Sequence, residues 1–197
     1  MKTVNLKNAL KIVLAISVLC FVVKWLLSDK SISFTYILNS FNLSVTINTF
    51  ISLVFIKWGW KFKVFRGWLV LVPNLNGEWK GALRSSWIDP EKLEPYYTDD
   101  VCLNIKQTLF SISCVMTTAQ MSSYSITANI LIDNENQKKQ LIYSYQSEPK
   151  QDLQEHSRIH YGTTKLDLDD IKTPKKLTGS YWTSRETSGV LSLEKEG

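Results

Sequence analysis

The segment GSYWTSRETSGVLSL, residues 179–193, holds the residue types best suited to gripping an anion. Read with the period of two that a strand imposes, its odd positions carry Gly179, Tyr181, Thr183, Arg185, Thr187, Gly189, Leu191 and Leu193. The even positions are mostly polar and read as the solvent side, whereas the odd ones end in two leucines and read as the inner side. An arginine flanked by threonines on an inner face needs an anionic partner, because guanidinium stays charged when buried. One solution is structural: an internal carboxylate such as Asp133, Glu155 or Asp167, or a strand that leaves the interior before Arg185. The other is a ligand phosphate, which Arg185 grips bidentately while the hydroxyls of Thr183 and Thr187 add donors. Aromatic rings such as Tyr181, Trp87, Tyr143 or Tyr161 would then stack on bases, which suits a nucleotide-sized anion.

The elements that must position these residues are strands. From Asn74 onward, turn signals (Asn76-Gly77, Asp89-Pro90, Glu94-Pro95, Asp133 to Asn136, Glu148-Pro149, Asp169-Asp170, Thr173-Pro174) separate short alternating runs. The runs are 78–87, 101–108, 110–117, 125–133, 140–146, 157–168 and 176–193, the last bent or double. No strand–helix alternation interrupts them, so the expectation is all-β, an antiparallel barrel of seven to eight strands, with a sandwich as the variant. The connection from Pro90 to Asp100, rich in acids and tyrosines, reads as a loop, with a lid over the barrel as the functional version. The first strand, NGEWKGALRSSW, puts Trp79, Leu83 and Trp87 on one face, and Gly-x-Trp opening a barrel resembles the lipocalin-type pattern. If the first and last strands are neighbours, Trp79 lies near Leu191 and Leu193 at an apolar end. Trp87 then lies near Tyr181 to Arg185 at a polar end.

Upstream, the pattern is helical and apolar. Residues 10–27 carry charge only at Lys11 and Lys24, and residues 31–56 carry none. Each run is close to the ~20 residues that cross hydrocarbon. The short link between them predicts a two-helix transmembrane hairpin over residues 1–56, with no cleavage site after the first run. Lys2, Lys7 and Lys11 precede the hairpin and Lys57, Lys61, Lys63 and Arg66 follow it. The positive-inside bias therefore puts both termini, and the barrel, in the cytoplasm. Residues 57–73 form a basic-aromatic interfacial linker, and 74–197 the cytoplasmic barrel. The second span is unusually polar: Ser31, Thr35, Asn39, Asn42, Thr46 and Thr49 recur at three- and four-residue steps, on one helix face, while Ser40, Ser44 and Asn48 lie elsewhere. That face either packs on the first span or mediates self-association, with Asn39, Asn42 and Thr46 at its centre.

Charge and cysteines exclude several classes. Residues 1–66 hold nine Lys/Arg against one acid, and residues 67–197 hold 14 against 17. The basic balance belongs to the membrane part, so duplex nucleic acid is not an expected partner. Cys20 lies in an apolar run, and Cys102 and Cys114 lack zinc spacing and read as reduced buried thiols, with a disulfide between them as the alternative. His156 and His160 would lie about 13 Å apart on a strand, too far to share an ion. No phosphate loop or nucleophile elbow occurs. The expectation is a chain that catalyses nothing and needs no metal or cofactor.

Two spans, a basic-aromatic collar, then LNGEWKG and the terminal GSYWTSRETSGVL resemble the two-transmembrane β-barrel effectors of CBASS, the bacterial cyclic-oligonucleotide antiphage systems. The resemblance covers essentially the whole chain in architecture. It implies a cytoplasmic barrel receptor for a cyclic dinucleotide made by a partner cyclic-nucleotide synthase after infection. It further implies a homo-oligomer that forms on activation and disrupts the inner membrane, ending in abortive infection. It does not supply individual ligand residues: Arg185, Thr183 and Thr187, with Tyr181, Trp87 and Tyr161, come from alternation alone. Two other classes fit the pattern. A membrane-tethered lipocalin-like binder of an apolar ligand would have a passive anchor, and a scaffold subunit would dock another protein and ignore small molecules.

Overall fold

The computed structural model describes residues 3–27, 33–89, 93–133, 135–149 and 159–196. Its chain divides into two compact units, Lys2–Leu71 and Val72–Gly197. Strand-length runs of alternating polarity build the second unit as β1 (Gly77–Asp89), β2 (Glu94–Gln107), β3 (Ile112–Thr118) and β4 (Met121–Asp133). They continue as β5 (Lys138–Pro149), β6 (His160–Leu168), β7 (Lys176–Thr183) and β8 (Ser188–Lys195). Each strand pairs antiparallel with the next, and β8 returns to β1, closing the barrel. Closure leaves no free sheet edge, the usual solution for an all-β domain of this size. The expected all-β barrel is thus found with eight strands.

Two sequence boundaries move. The 90–100 connection, expected as a loop or lid, is strand from Glu94 onward and pairs with β1 up to Asp89↔Glu94. Pro95 and the Asp99-Asp100 pair concealed it. Register shifts between Gly81 and Leu83, and between Arg84 and Ile88, bend this hairpin and break its alternation. The run 176–193 is two strands joined by a tight turn. Trp182 pairs with Ser188, the Thr183 N–H donates to the Thr187 carbonyl (2.9 Å), and Glu186 adopts φ 62°.

The barrel core is layered along its axis. Near the end where the chain enters, Trp79 is fully buried and its Nε1 donates to the Leu75 carbonyl at 2.9 Å. Above it, pairing aligns Gly81, Leu193 and Leu177, then Leu83, Leu191, Gly179, Leu166, Leu141 and Ile130, row upon row of inward positions. Of these, Leu141, Leu166, Leu177 and Leu193 are fully buried. Burying a leucine side chain stabilises by about 1.5–3 kcal/mol, so this half carries the stability.

The first unit is a helical hairpin, α1 (Leu6–Leu27) and α2 (Phe34–Lys57), followed by two short 3₁₀ turns, Gly59–Lys61 and Lys63–Phe65. Both helices are long and apolar enough to cross a bilayer. Ser33 caps α2 by accepting from the Tyr36 N–H. The helices meet along Tyr36, Ser40, Ser44 and Asn48. The Tyr36 hydroxyl donates to the Phe21 carbonyl (3.1 Å), and Asn48 Nδ2 donates to Ser17 Oγ (3.1 Å). Ser40 and Ser44 are buried and donate to their own helix, which lets the backbones approach. The polar stripe read from sequence is the other face: Asn39, Asn42 and Thr46 are exposed in this hairpin. The outer ends of α1 and α2 lie together. Val4 bridges Val70, the Asn5 N–H donates to the Leu69 carbonyl and the Leu71 N–H to the Thr3 carbonyl.

Candidate functional site

Above the leucine rows, the inward positions turn polar and aromatic. One aligned row carries Ser85, Gly189, Tyr181, Thr164 and Tyr143 across five strands. The next carries Thr183, Gly162, Tyr145 and Ser125, and a third His160, Ser147 and Ser123. These rows lie at the strand ends served by the connections 89–94, 118–121, 149–160 and 183–188. Together they form the mouth of the barrel.

Two glycines make room for two tyrosines. A Cβ on Gly162 would land on the Tyr145 ring, and one on Gly189 would land 2.5 Å from the Tyr181 ring. The rings therefore lie across the interior over bare backbone and form a floor beneath the mouth. Tyr143 and Tyr145 stand 5.9 Å apart, centroid to centroid. At the rim, Trp87 meets Tyr96 edge-on at 5.9 Å.

Burial raises the phenol pKa of Tyr143, Tyr145, Tyr181 and Tyr96 above the ordinary tyrosine range. Neighbouring hydroxyls offset this only in part: Thr164 for Tyr143 and Tyr145, Ser85 for Tyr181 and Thr98 for Tyr96. At neutral pH all four are O–H donors. Thr164 Oγ1, despite this proximity, is buried and has no partner at full hydrogen-bond geometry among the described residues. The mouth is thus rich in donors and rings, a combination suited to a polar ligand with flat bases.

The sequence-derived residues distribute unevenly over this mouth. Tyr181 is inward and buried, at the floor. Trp87 is at the rim, 42% exposed. Thr183 and Thr187 bracket the β7–β8 turn with their hydroxyls 2.7 Å apart, so each already has a partner. Arg185 is not on an inward strand face: it sits in the turn, exposed at the rim, with its N–H donating to Thr183 Oγ1. Its inward reading failed because the chain reverses at residues 184–187. The internal carboxylates weighed against a ligand do not serve it, since Asp133 and Asp167 lie toward the opposite ends of their strands. Glu155 falls outside the described residues. Tyr161 points outward and is 55% exposed, because its neighbours His160 and Gly162 take the inward positions. Its backbone instead ties β6 to the turn, the Ser184 N–H donating to the Tyr161 carbonyl at 2.8 Å. Tyr96, Tyr145, Thr164 and His160 were missed. YSYQS, residues 143–147, carried the signal for Tyr145, an alternation of tyrosine and serine on one strand.

The remaining chemistry is quiet. Cys20, Cys102 and Cys114 are free thiols, and burial pushes Cys114 up to about 12. Among the described residues no His, Cys, Asp and Glu group is placed to hold a metal ion.

Comparison with known proteins decides the family. Residues 70–195 match Cap15, cyclic dinucleotide receptor domain. CD-NTase-associated protein 15 of Staphylococcus schleiferi is 33% identical over 152 residues, covering 77% of this chain and 76% of that protein. The chain belongs to the Cap15 family. The matched Cap15 segment covers all eight strands, so the closed barrel is the cyclic dinucleotide receptor domain, and the chain is a CBASS effector. The matched family is a receptor family and not an enzyme family.

Proposed function

We propose that the barrel mouth binds a cyclic dinucleotide and that binding drives oligomerisation and disruption of the inner membrane by the helical hairpin. What supports the mouth as the site is its change of character: leucine rows give way to tyrosines and hydroxyls at the end where Arg185 is presented. Arg185 meets a phosphate from the rim. Thr183 and Thr187 hold the turn that carries it and add hydroxyls to the same phosphate. The Trp87 ring at the rim and Tyr181 at the floor are within the mouth to face the bases. A ligand seated there does not meet the Tyr161 ring.

The membrane half of the reading rests on α2. Its Tyr36 and Asn48 bond to α1 and its buried serines bond within α2, whereas the side chains of Asn39 and Asn42 make no hydrogen bond among the described residues. Amides facing hydrocarbon find partners on other chains. A hairpin with this second polar face has a use for self-association, which a passive anchor for a lipocalin-like barrel lacks. Both helix flanks are basic and lie together, which supports cytoplasmic termini and barrel.

The test is the melting temperature of the full chain in detergent against cyclic dinucleotides, linear dinucleotides and fatty acids. A ligand at a hundred times its Kd adds about 2.7 kcal/mol, a shift of several degrees. The expected result is a rise with one cyclic dinucleotide, reduced at least tenfold in apparent affinity by Arg185→Ala with the unliganded melting point unchanged. A rise with fatty acids alone overturns the reading. Undiminished affinity in Arg185→Ala removes that residue from the site.

A further inference from the structure

We infer that the segment following α2 is a folded binding platform for anionic phospholipid headgroups, and not a passive collar. Its sequence, KWGWKFKVFRGW over residues 57–68, alternates cations with aromatic rings. No acidic residue occurs from Ser33 to Gly77, so Lys57, Lys61 and Lys63 have no carboxylate within their own segment. All three are exposed. The charge is local: residues 67–197 carry 14 Lys/Arg and 17 acids, a net of −3, against +8 for residues 1–66.

The platform is ordered by its own contacts. Phe65 packs edge-on against Phe55 of α2 at 5.2 Å and lies 6.1 Å from Trp68. Trp68 Nε1 donates to the Val64 carbonyl at 2.6 Å. The first turn of α1 docks on it, with Asn8 Nδ2 donating to the Trp68 carbonyl at 2.6 Å, which brings exposed Lys7 to the same end. What this frame leaves outside is apolar and aromatic: Trp58 is 53% exposed, Phe62 61%, Val64 69% and Trp68 44%. Lys57 lies over the Trp58 ring, 4.5 Å from its centroid. Exposed rings interleaved with ammonium groups match one chemistry, a phosphate with glycerol and acyl carbons beneath it. Rings of this kind settle at the headgroup level, and lysines there are drawn to anionic lipid.

The inference rests on the reading that the hairpin spans the bilayer, and the experiment separates the two. The full chain is reconstituted in vesicles of phosphatidylcholine and phosphatidylglycerol, with the acyl chains of one or the other brominated, and quenching of tryptophan fluorescence gives the relative affinity. A lysine near an anionic surface is worth about a fivefold preference. The expected result is that phosphatidylglycerol quenches with at least fivefold preference. That preference falls toward one in 0.5 M salt, where screening is nearly complete at about 4 Å. It also falls toward one in the Lys61→Gln/Lys63→Gln variant, and persists in a control that changes exposed barrel lysines, Lys106→Gln/Lys138→Gln. Equal quenching by both lipids overturns the platform while leaving the span intact. Absence of quenching by either overturns the span and the platform with it. Loss of the preference on adding soluble glycerol phosphate would make this a site for free phosphates instead, and overturns the lipid assignment.

Discussion

Tyr143 and Tyr145 continue the buried row that Leu141 begins on β5, and their hydroxyls tie the stability of the mouth to pH. A free phenol titrates near 10. Burial raises both groups above that value in the folded chain, so the unfolded chain loses its protons first. Below pH ~10 both states are protonated and the stability is fully present. As pH rises past that point the unfolded state binds fewer protons, and stability falls by about 1.4 kcal/mol per pH unit for each phenol kept protonated. Urea midpoints of the full chain in detergent should therefore be flat from pH 7 to about 8, decline gently as the unfolded chain's Cys114 thiol ionises, and fall more steeply above about 10 as the phenols follow. Tyr143→Phe/Tyr145→Phe should flatten that fall. An unchanged alkaline slope in the double variant would assign the loss to other groups, with the phenols already solvated.

At the scale of elements, the decisive feature is that neighbouring strands share their volume. Gly162 on β6 leaves room for Tyr145 on β5, and Gly189 on β8 leaves room for the Arg84 carbonyl on β1 and the Tyr181 ring on β7. Gly162→Ala forces the Tyr145 ring out of its place, at a cost of about 1–3 kcal/mol for overpacking. The expected outcome is a melting point several degrees lower, with cyclic dinucleotide affinity down at least tenfold. Adding Tyr145→Phe relieves only the hydroxyl, whereas Tyr145→Ala restores room and should recover part of the melting point. Failure of that rescue would show that the clash lies elsewhere. The same sharing explains what the sequence disclosed. Alternation of small and large residues made the strands and the inner face of β1 legible, and the facing of β7 and β8 as well. The turn between these two was hidden by parity. With Trp182 opposite Ser188 and Tyr181 opposite Gly189, odd positions stay inward on both sides of the reversal. No Asn-Gly marked it, since Glu186 takes the left-handed position. Arg185 was therefore assigned to the right end of the barrel and the wrong environment. In α2, the polar stripe was legible but its partner was not, because Ser40, Ser44 and Asn48 compete on composition and only packing separates the faces.

At the scale of the whole molecule, the proposed function gives the barrel the sensing and the hairpin the action on the membrane, and a single polypeptide must keep the two separable. The barrel stores its stability in leucines far from the mouth, so ligand contacts can vary without unfolding it. The hairpin stores its own in Tyr36, Ser40, Ser44 and Asn48, leaving the exposed Asn39, Asn42 and Thr46 outside the contact between its two helices. Substitutions on that outer face should then divide the two activities. Asn39→Leu/Asn42→Leu removes two amides from the exposed stripe and substitutes side chains that hydrocarbon accepts. In bacteria supplied with a cyclic dinucleotide source, the parent chain should collapse the membrane potential, read by a voltage-sensitive dye, and kill. The double variant should accumulate in the membrane equally, show the same ligand-induced melting shift, and spare the cells. Ser40→Leu/Ser44→Leu is the contrast, because it wedges the helices apart and should lower membrane accumulation itself. Killing by the Asn39→Leu/Asn42→Leu chain at the parental rate would count against an active role for that face and would shift the lesion to the hairpin's apolar surface. Killing by the parent without any cyclic dinucleotide would break the link between the two units altogether.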